Sequence, residues 1–213
     1  VCYCGETKCT LDKVATIINK RGEPHFGFSF NENAIDDISY GHVRNCDHSL
    51  LYVERIITNM SDGEQWIDPF LREPAFREAW VYDEEYDFWQ NAYDPLQYEA
   101  AGRSYKRLPM KSNEAPPPLN QMVIDTSKNP GRRTLRQGYV EAVGAIMWLG
   151  DQFWKLTGAK KPDVMAAEWL KCEELPNNFL RVQAFDQPFT TAEGKQGEIQ
   201  NRLRALLFPN ADK

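Results

Sequence analysis

The chain has 213 residues, 42% of them hydrophobic and 26% charged, and carries a formal net charge of −6. This length suits one large domain or two small ones, and the composition can bury a core without help from a metal or a disulfide. The acidic balance argues against nucleic acid as a main partner, since phosphate binding needs a basic surface, and no run of about 18 apolar residues marks a membrane span.

The opening "VCYCGETKCT" lacks the apolar stretch of a secretory signal. Five cysteines are odd in number and sparse for the length, so a reducing cytoplasm is the expected setting. Cys2, Cys4 and Cys9, with Cys46 between His42 and His48, are the residue types zinc uses. The Cys2–Cys4 spacing is not CxxC, however, and no second CxxC exists. Free or buried thiols are expected, with no metal and no cofactor; a disulfide from Cys2 or Cys4 is the alternative. His42, Asp47 and His48 lie close in sequence without a common face, and neither GxSxG nor HExxH occurs. Both phosphate-cradling glycine motifs are also absent.

"TLDKVATIINK" spaces Leu11, Val14, Ile17 and Ile18 as a helix does, and "PHFGFSFNEN" alternates Phe26, Phe28 and Phe30 as a strand does. "SLLYVERIITNM" keeps neither period. Ser61 and Glu64 fit a capping box. From "PAFREAWVYDEEYDFW" the spacing of Phe76, Trp80, Tyr82 or Asp83, and Asp87 predicts a helical stripe. Residues 60–100 hold eleven acidic and two basic residues, whereas residues 101–138 hold eight basic and two acidic. That reversal is the strongest charge asymmetry in the chain.

"KSNEAPPPLNQ" reads as a loop, flexible over 111–120, and "QMVID" as a short strand ending at Asp125. "TSKNPG" is turn chemistry, with Gly131 placed to take a positive φ. "GYVEAVGAIMWLGDQFWKLTG" has helical spacing but internal glycines, so strands turning near "LGD" stand beside it. "KKPDVMAAEWLKCEEL" reads as a helix with Pro162 in its first turn. "NNFLRVQAFD" reads as a strand, and "TTAEGKQGEIQNRLRALLF" as a closing helix with Thr190 and Glu193 as a capping box. The buried stripe of that helix is expected at Ile199, Leu203, Leu206 and Leu207. Together these elements predict a single α+β domain over 1–213, with a mixed or antiparallel sheet packed against several helices.

Two site readings follow from the residues. An acidic, aromatic belt (Trp80, Tyr82, Asp83, Glu84, Glu85, Tyr86, Asp87, Trp89) has the anchors and charge to meet a basic protein, so these eight are the expected partner-binding residues. The other reading is a hydrolase with paired carboxylates. It would use Asp125 at a strand end, beside Arg132 and Arg133, with an acid of the belt; carboxyl groups about 5 to 9 Å apart beside aromatic platforms would suit glycoside hydrolysis. A structural subunit of a larger assembly is a third possibility, and it predicts a broad apolar exposed patch.

"GYVEAVGAIMWLGDQFW", lying between "IDTSKNPGRR" and "EWLKCEEL", resembles segments of bacterial toxin-immunity proteins in size, acidity, aromatic richness and lack of catalytic motifs, over residues 120–208. The resemblance implies a small cytoplasmic α+β protein from a bacterium. It would bind a cognate secreted toxin, such as a nuclease, and block it without catalysis. It assigns no binding residue.

Overall fold

The computed structural model describes residues 2–4, 7–10, 13, 16–17, 20, 28–31, 36–55 and 66–211. The fold is mixed α+β, with antiparallel sheets packed against several helices. The chain divides into two compact units: residues 1–68 with 135–139, and residues 69–134 with 140–213.

The first unit holds a five-stranded antiparallel sheet in the order β2-β1-β3-β4-β5. Its strands are β1 (Cys2–Cys4), β2 (Thr7–Cys9), β3 (Phe28–Asn31), β4 (Asp36–Val43) and β5 (His48–Arg55). Phe28 and Phe30 of the alternating phenylalanines thus lie in a strand, Phe26 falls outside the described residues, and "SLLYVER" is extended rather than helical. A short 3-10 turn at Arg44–Cys46 and Asp47 in left-handed backbone (φ 51) reverse the chain between β4 and β5. Aspartate tolerates that conformation better than most residues. Of the helix expected over "TLDKVATIINK", the described residues Lys13, Thr16, Ile17 and Lys20 are helical. The Ser61/Glu64 capping box lies outside the described residues.

The second unit is built on a four-stranded antiparallel sheet ordered β12-β13-β11-β6. Its strands are β6 (Glu78–Trp80), β11 (Ile146–Leu149), β12 (Lys171–Leu175) and β13 (Phe179–Gln183). A hairpin of β7 (Met110–Ser112) and β8 (Met122–Ile124) is separate from this sheet, as is the pair β9 (Thr134–Arg136) and β10 (Tyr139–Glu141). The helices are α1 (Glu84–Asn91), α2 (Pro95–Ala100), α3 (Asp151–Thr157), α4 (Lys161–Met165) and α5 (Gly194–Leu207).

β11 is an inner strand, buried at every residue. A strand covered on both faces reads as a continuous apolar run, which is why "AIMWLG" shows no period of two. The chain leaves β11 through Gly150, the N-cap of α3, so the segment is a strand followed by a helix. Gly144 precedes the strand where a Cβ would lie 2.6 Å from the Val81 carbonyl oxygen. The core joins Met147, Leu149, Phe153, Val164, Leu180, Leu203 and Leu207, all fully buried. Each such side chain contributes about 1.5 to 3 kcal/mol relative to exposure.

Three expected elements differ. The helical stripe from Phe76 to Asp87 is interrupted: Glu78–Trp80 pairs with β11, and the helix starts only at Glu84, after the Asp83 cap. The helix expected over "KKPDVMAAEWLKCEEL" stops at Met165, and Lys171–Leu175 pairs with β13 instead. In both cases sheet pairing overrides a local period. At the start of α5, Glu193 occupies the N-cap without a side-chain bond. The Gln196 amide oxygen accepts from the Thr190 and Thr191 N–H groups instead, so the expected Thr190/Glu193 box does not form. On α5 itself, Ile199, Leu203 and Leu207 are buried, as the stripe predicts, whereas Leu206 is only half-buried.

Candidate functional site

Helix α1 carries most of the expected belt, and it has two different sides. Asp83 caps it, accepting from the Tyr86 N–H at 2.8 Å. That cap and the acidic first turn (Glu84, Glu85, Asp87) suit the partial positive charge at a helix start. Asp94 does the same for α2, forming a capping box with Gln97 and preceding Pro95 at the first helical position.

The inner side of α1 grips the turn that follows β8. Asp87 is buried and pairs with Arg133 at 2.9 Å. Burial lifts the Asp87 carboxyl to about 6, against the opposing pull of Arg133. Asn91 donates to the Asp87 carbonyl oxygen and accepts from the Arg133 N–H at 2.6 Å. Gln90 accepts from the Gly131 N–H at 3.0 Å, and its carbonyl accepts from the Asn129 side-chain amide. From the other direction, buried Arg204 of α5 donates to the carbonyl oxygens of Pro130, Glu141 and Arg132. The Tyr86 hydroxyl donates to Gln200, also buried on α5, and burial pushes that phenol up to about 12.

The segment "TSKNPGRR" is therefore a turn clamped between α1 and α5. Gly131 is not among the residues with positive φ. Glycine is needed for another reason: a Cβ there would come within 2.6 Å of Gln90 Cγ and 2.9 Å of Tyr86 Cε1. Gly131→Ala is expected to lower stability by about 1 to 3 kcal/mol. A denaturant midpoint unchanged from wild type would show that α1 shifts freely away from the turn.

The residues of the alternative polar site do not converge on one reacting centre. Asp125 accepts from the Ser127 N–H and pairs with Lys111 at 3.0 Å. The bonds from Ser127, with Lys111 beside them, hold its carboxyl down at about 2. Such a carboxylate is a weak proton acceptor at neutral pH. Arg132 folds back onto the Asn129 carbonyl oxygen, while Arg133 belongs to Asp87 and reaches over the Tyr82 ring at 5.9 Å. A shallow crevice nearby is lined by Tyr82, Tyr86, Asp87, Gly131, Val143 and Phe189. Among the described residues, no group of three or more His, Cys, Asp or Glu could hold a metal ion.

The outer side of α1 is different in kind. Glu84, Glu85 and Phe88 are exposed. Glu85 is bound by Arg103 at 2.7 Å, and the same guanidinium lies 4.2 Å from the centre of the Trp89 ring. Trp89 packs edge-on against Phe88 and Tyr98. Beneath it Ala92, Tyr98 and Ile124 form a small buried cluster, and the Ile124 N–H donates to the Tyr93 carbonyl oxygen at 2.8 Å. These contacts tie the β7–β8 hairpin to the α1–α2 corner. Trp80 sits apart in β6, half-buried, opposite Met147.

Sequence reasoning missed what this corner exposes. Of eleven large hydrophobic side chains exposed among the described residues, seven fall between residues 88 and 122. Tyr93, Leu96, Leu119 and Met122 are 59%, 66%, 70% and 55% exposed. An available signal was the run of apolar residues in segments that also hold Asp, Asn and Pro, where loops rather than core are expected. Compared with protein-family models, with curated proteins and with solved structures, the chain matches none.

Proposed function

We propose that this chain is a non-enzymatic protein-binding domain that neutralises a cognate secreted toxin, using the α1–α2 corner and the β7–β8 hairpin as its contact face. The observation that carries the reading is the concentration of exposed apolar side chains on these two joined elements. Monomeric proteins rarely leave such a concentration uncovered, and its Trp, Tyr, Met and Arg content is that of interface anchors. The acids that the sequence offers to a basic partner are largely spent within the fold: Asp83 on a cap, Asp87 on Arg133, Glu85 on Arg103. This moves the proposed contact from charge to apolar burial, with Glu84 and Glu85 at its rim. Hydrolysis by paired carboxylates has less support, since Asp125 and Asp87 each face a cation of their own.

The test is affinity capture with the tagged chain from lysate and secreted fractions, read by mass spectrometry. A single stoichiometric partner is expected, encoded as a toxic or secreted protein. Phe88→Asp combined with Leu96→Asp should weaken its binding by about thirtyfold or more, because desolvated anchors carry most of the energy. Glu84→Lys with Glu85→Lys should change affinity much less. The reverse ranking would return the contact to the acids. A structural subunit would use the same apolar face to build an obligate oligomer, and light scattering separates the two: a monomer is expected here.

A further inference from the structure

Among the described residues no strand pairs with the outer edge of β7, and the hairpin register says which backbone groups face outward there. Met110 lies opposite Ile124, Lys111 opposite Val123, and Ser112 opposite Met122. The hairpin bonds run through the neighbouring positions: Asp125 N–H to the Pro109 carbonyl oxygen, and Asn113 N–H to the Gln121 carbonyl oxygen. In an antiparallel pair, bonded and non-bonded positions alternate. The N–H and C=O groups of Met110 and Ser112 therefore point away from β8. On the opposite edge, Ile124 shows the same alternation, and its outward N–H is taken by Tyr93. Among the described residues β7 has no second neighbouring strand, and its three residues are all exposed.

The chemistry around that edge is specific. Met110 is exposed on the hairpin face it shares with Ser112, Met122 and the buried Ile124, so an apolar side chain of an added strand would lie against Met110 there. Lys106 and Arg107, just before β7, are exposed and make no ion pair among the described residues. Lys111 adds a third cation, already shared with Asp125. Lysine and proline on an edge commonly discourage indiscriminate pairing. Here the unpaired cations also select by charge, opposing a basic strand and attracting an acidic one. Strand addition draws affinity from main-chain hydrogen bonds and specificity from the alternate side chains.

We infer that the open edge of β7 takes an extended acidic segment of the binding partner as an added strand. Backbone bonds form to Met110 and Ser112, an apolar side chain lies against Met110, and acidic side chains meet Lys106 and Arg107. The inference rests on the reading of this corner as a protein-binding face and names how part of the partner is held.

The probe is a short capped peptide, Asp-Asp-Val-Thr-Val-Thr, titrated into the full chain and followed by amide NMR and hydrogen exchange. Saturable shifts centred on Met110 and Ser112, with slowed exchange at both, are expected. The same peptide with lysines in place of the aspartates should bind about tenfold more weakly or worse, and Lys106→Glu with Arg107→Glu should reverse that preference. This double variant touches only exposed side chains, so its fold is not at risk. Shifts elsewhere, no saturation at Met110 and Ser112, or equal affinity for both peptides would overturn strand addition. Partner capture distinguishes this from failure of the wider reading. Capture lost in the Phe88/Leu96 variant but unchanged in Lys106→Glu with Arg107→Glu overturns the strand site and keeps the binding domain. Peptide binding at β7 with capture unaffected by the Phe88/Leu96 change supports the strand site and removes the apolar anchors.

Discussion

Arg204→Met should destabilise the fold by about 3 to 5 kcal/mol, because several buried carbonyl groups lose their donor at once. Arg204 is buried on α5 and donates to three carbonyl oxygens, those of Pro130, Glu141 and Arg132. Methionine fills much of the volume but donates nothing. The carbonyl groups then lose their bonds in a region water reaches poorly, and each unmet buried group costs about 1 to 3 kcal/mol. The check is urea unfolding with the slope held constant. Amide exchange at Gly131 and Arg133 should also speed up, since α5 no longer pins the turn that α1 grips. A loss below about 1 kcal/mol would mean that water replaces the guanidinium and that α5 does not anchor the turn.

Glu78→Gln should remove a pH dependence. Glu78 accepts from the Val140 N–H at 2.7 Å through one carboxyl oxygen, while its other is buried without a partner. Burial lifts the carboxyl from 4.5 to about 8, against the opposing Val140 bond. A raised acid means that the folded state binds more protons than the unfolded state between those values. Stability therefore falls as pH rises from about 4.5 to about 8. Glutamine keeps an acceptor for Val140 and cannot ionise. Wild type and variant should match near pH 5, and the variant should be more stable by on the order of 4 kcal/mol near pH 9. Asp87 titrates in both proteins, so the difference between the two curves isolates Glu78. Parallel curves from pH 5 to 9 would sink the assignment.

The fold class was legible because several strands and the last helix carry their own patterns. "FLRVQ", "MVI" and "GEIQNRLRALLF" lie where their spacing puts them. The misreadings have physical causes. β11, whose segment reads equally as helix or strand, is covered on both faces, so its periodicity vanishes. "WLKCEEL" carries helix-forming residues but is held extended by β13. Gln200 and Arg204 are polar residues on a buried helix face, and only their distant partners explain them. The belt was visible as a composition, but not the use of its acids. A local sequence cannot say that Asp87 meets Arg133 across the chain, or that Asp83 faces a helix start rather than solvent.

The two-sided character of α1 bears on how a mutational survey of this protein would be read. Inner positions such as Tyr86, Asp87 and Asn91 support the architecture, so damage there lowers how much folded protein a cell accumulates. Outer positions such as Glu84 and Phe88 can change with little effect on accumulation. Residues adjacent in the chain would then segregate into two phenotypes with a helical rhythm. Loss of function on substitution of Asp87 would report a shortage of folded protein, and normalising to abundance would separate such effects from those of the outer side chains.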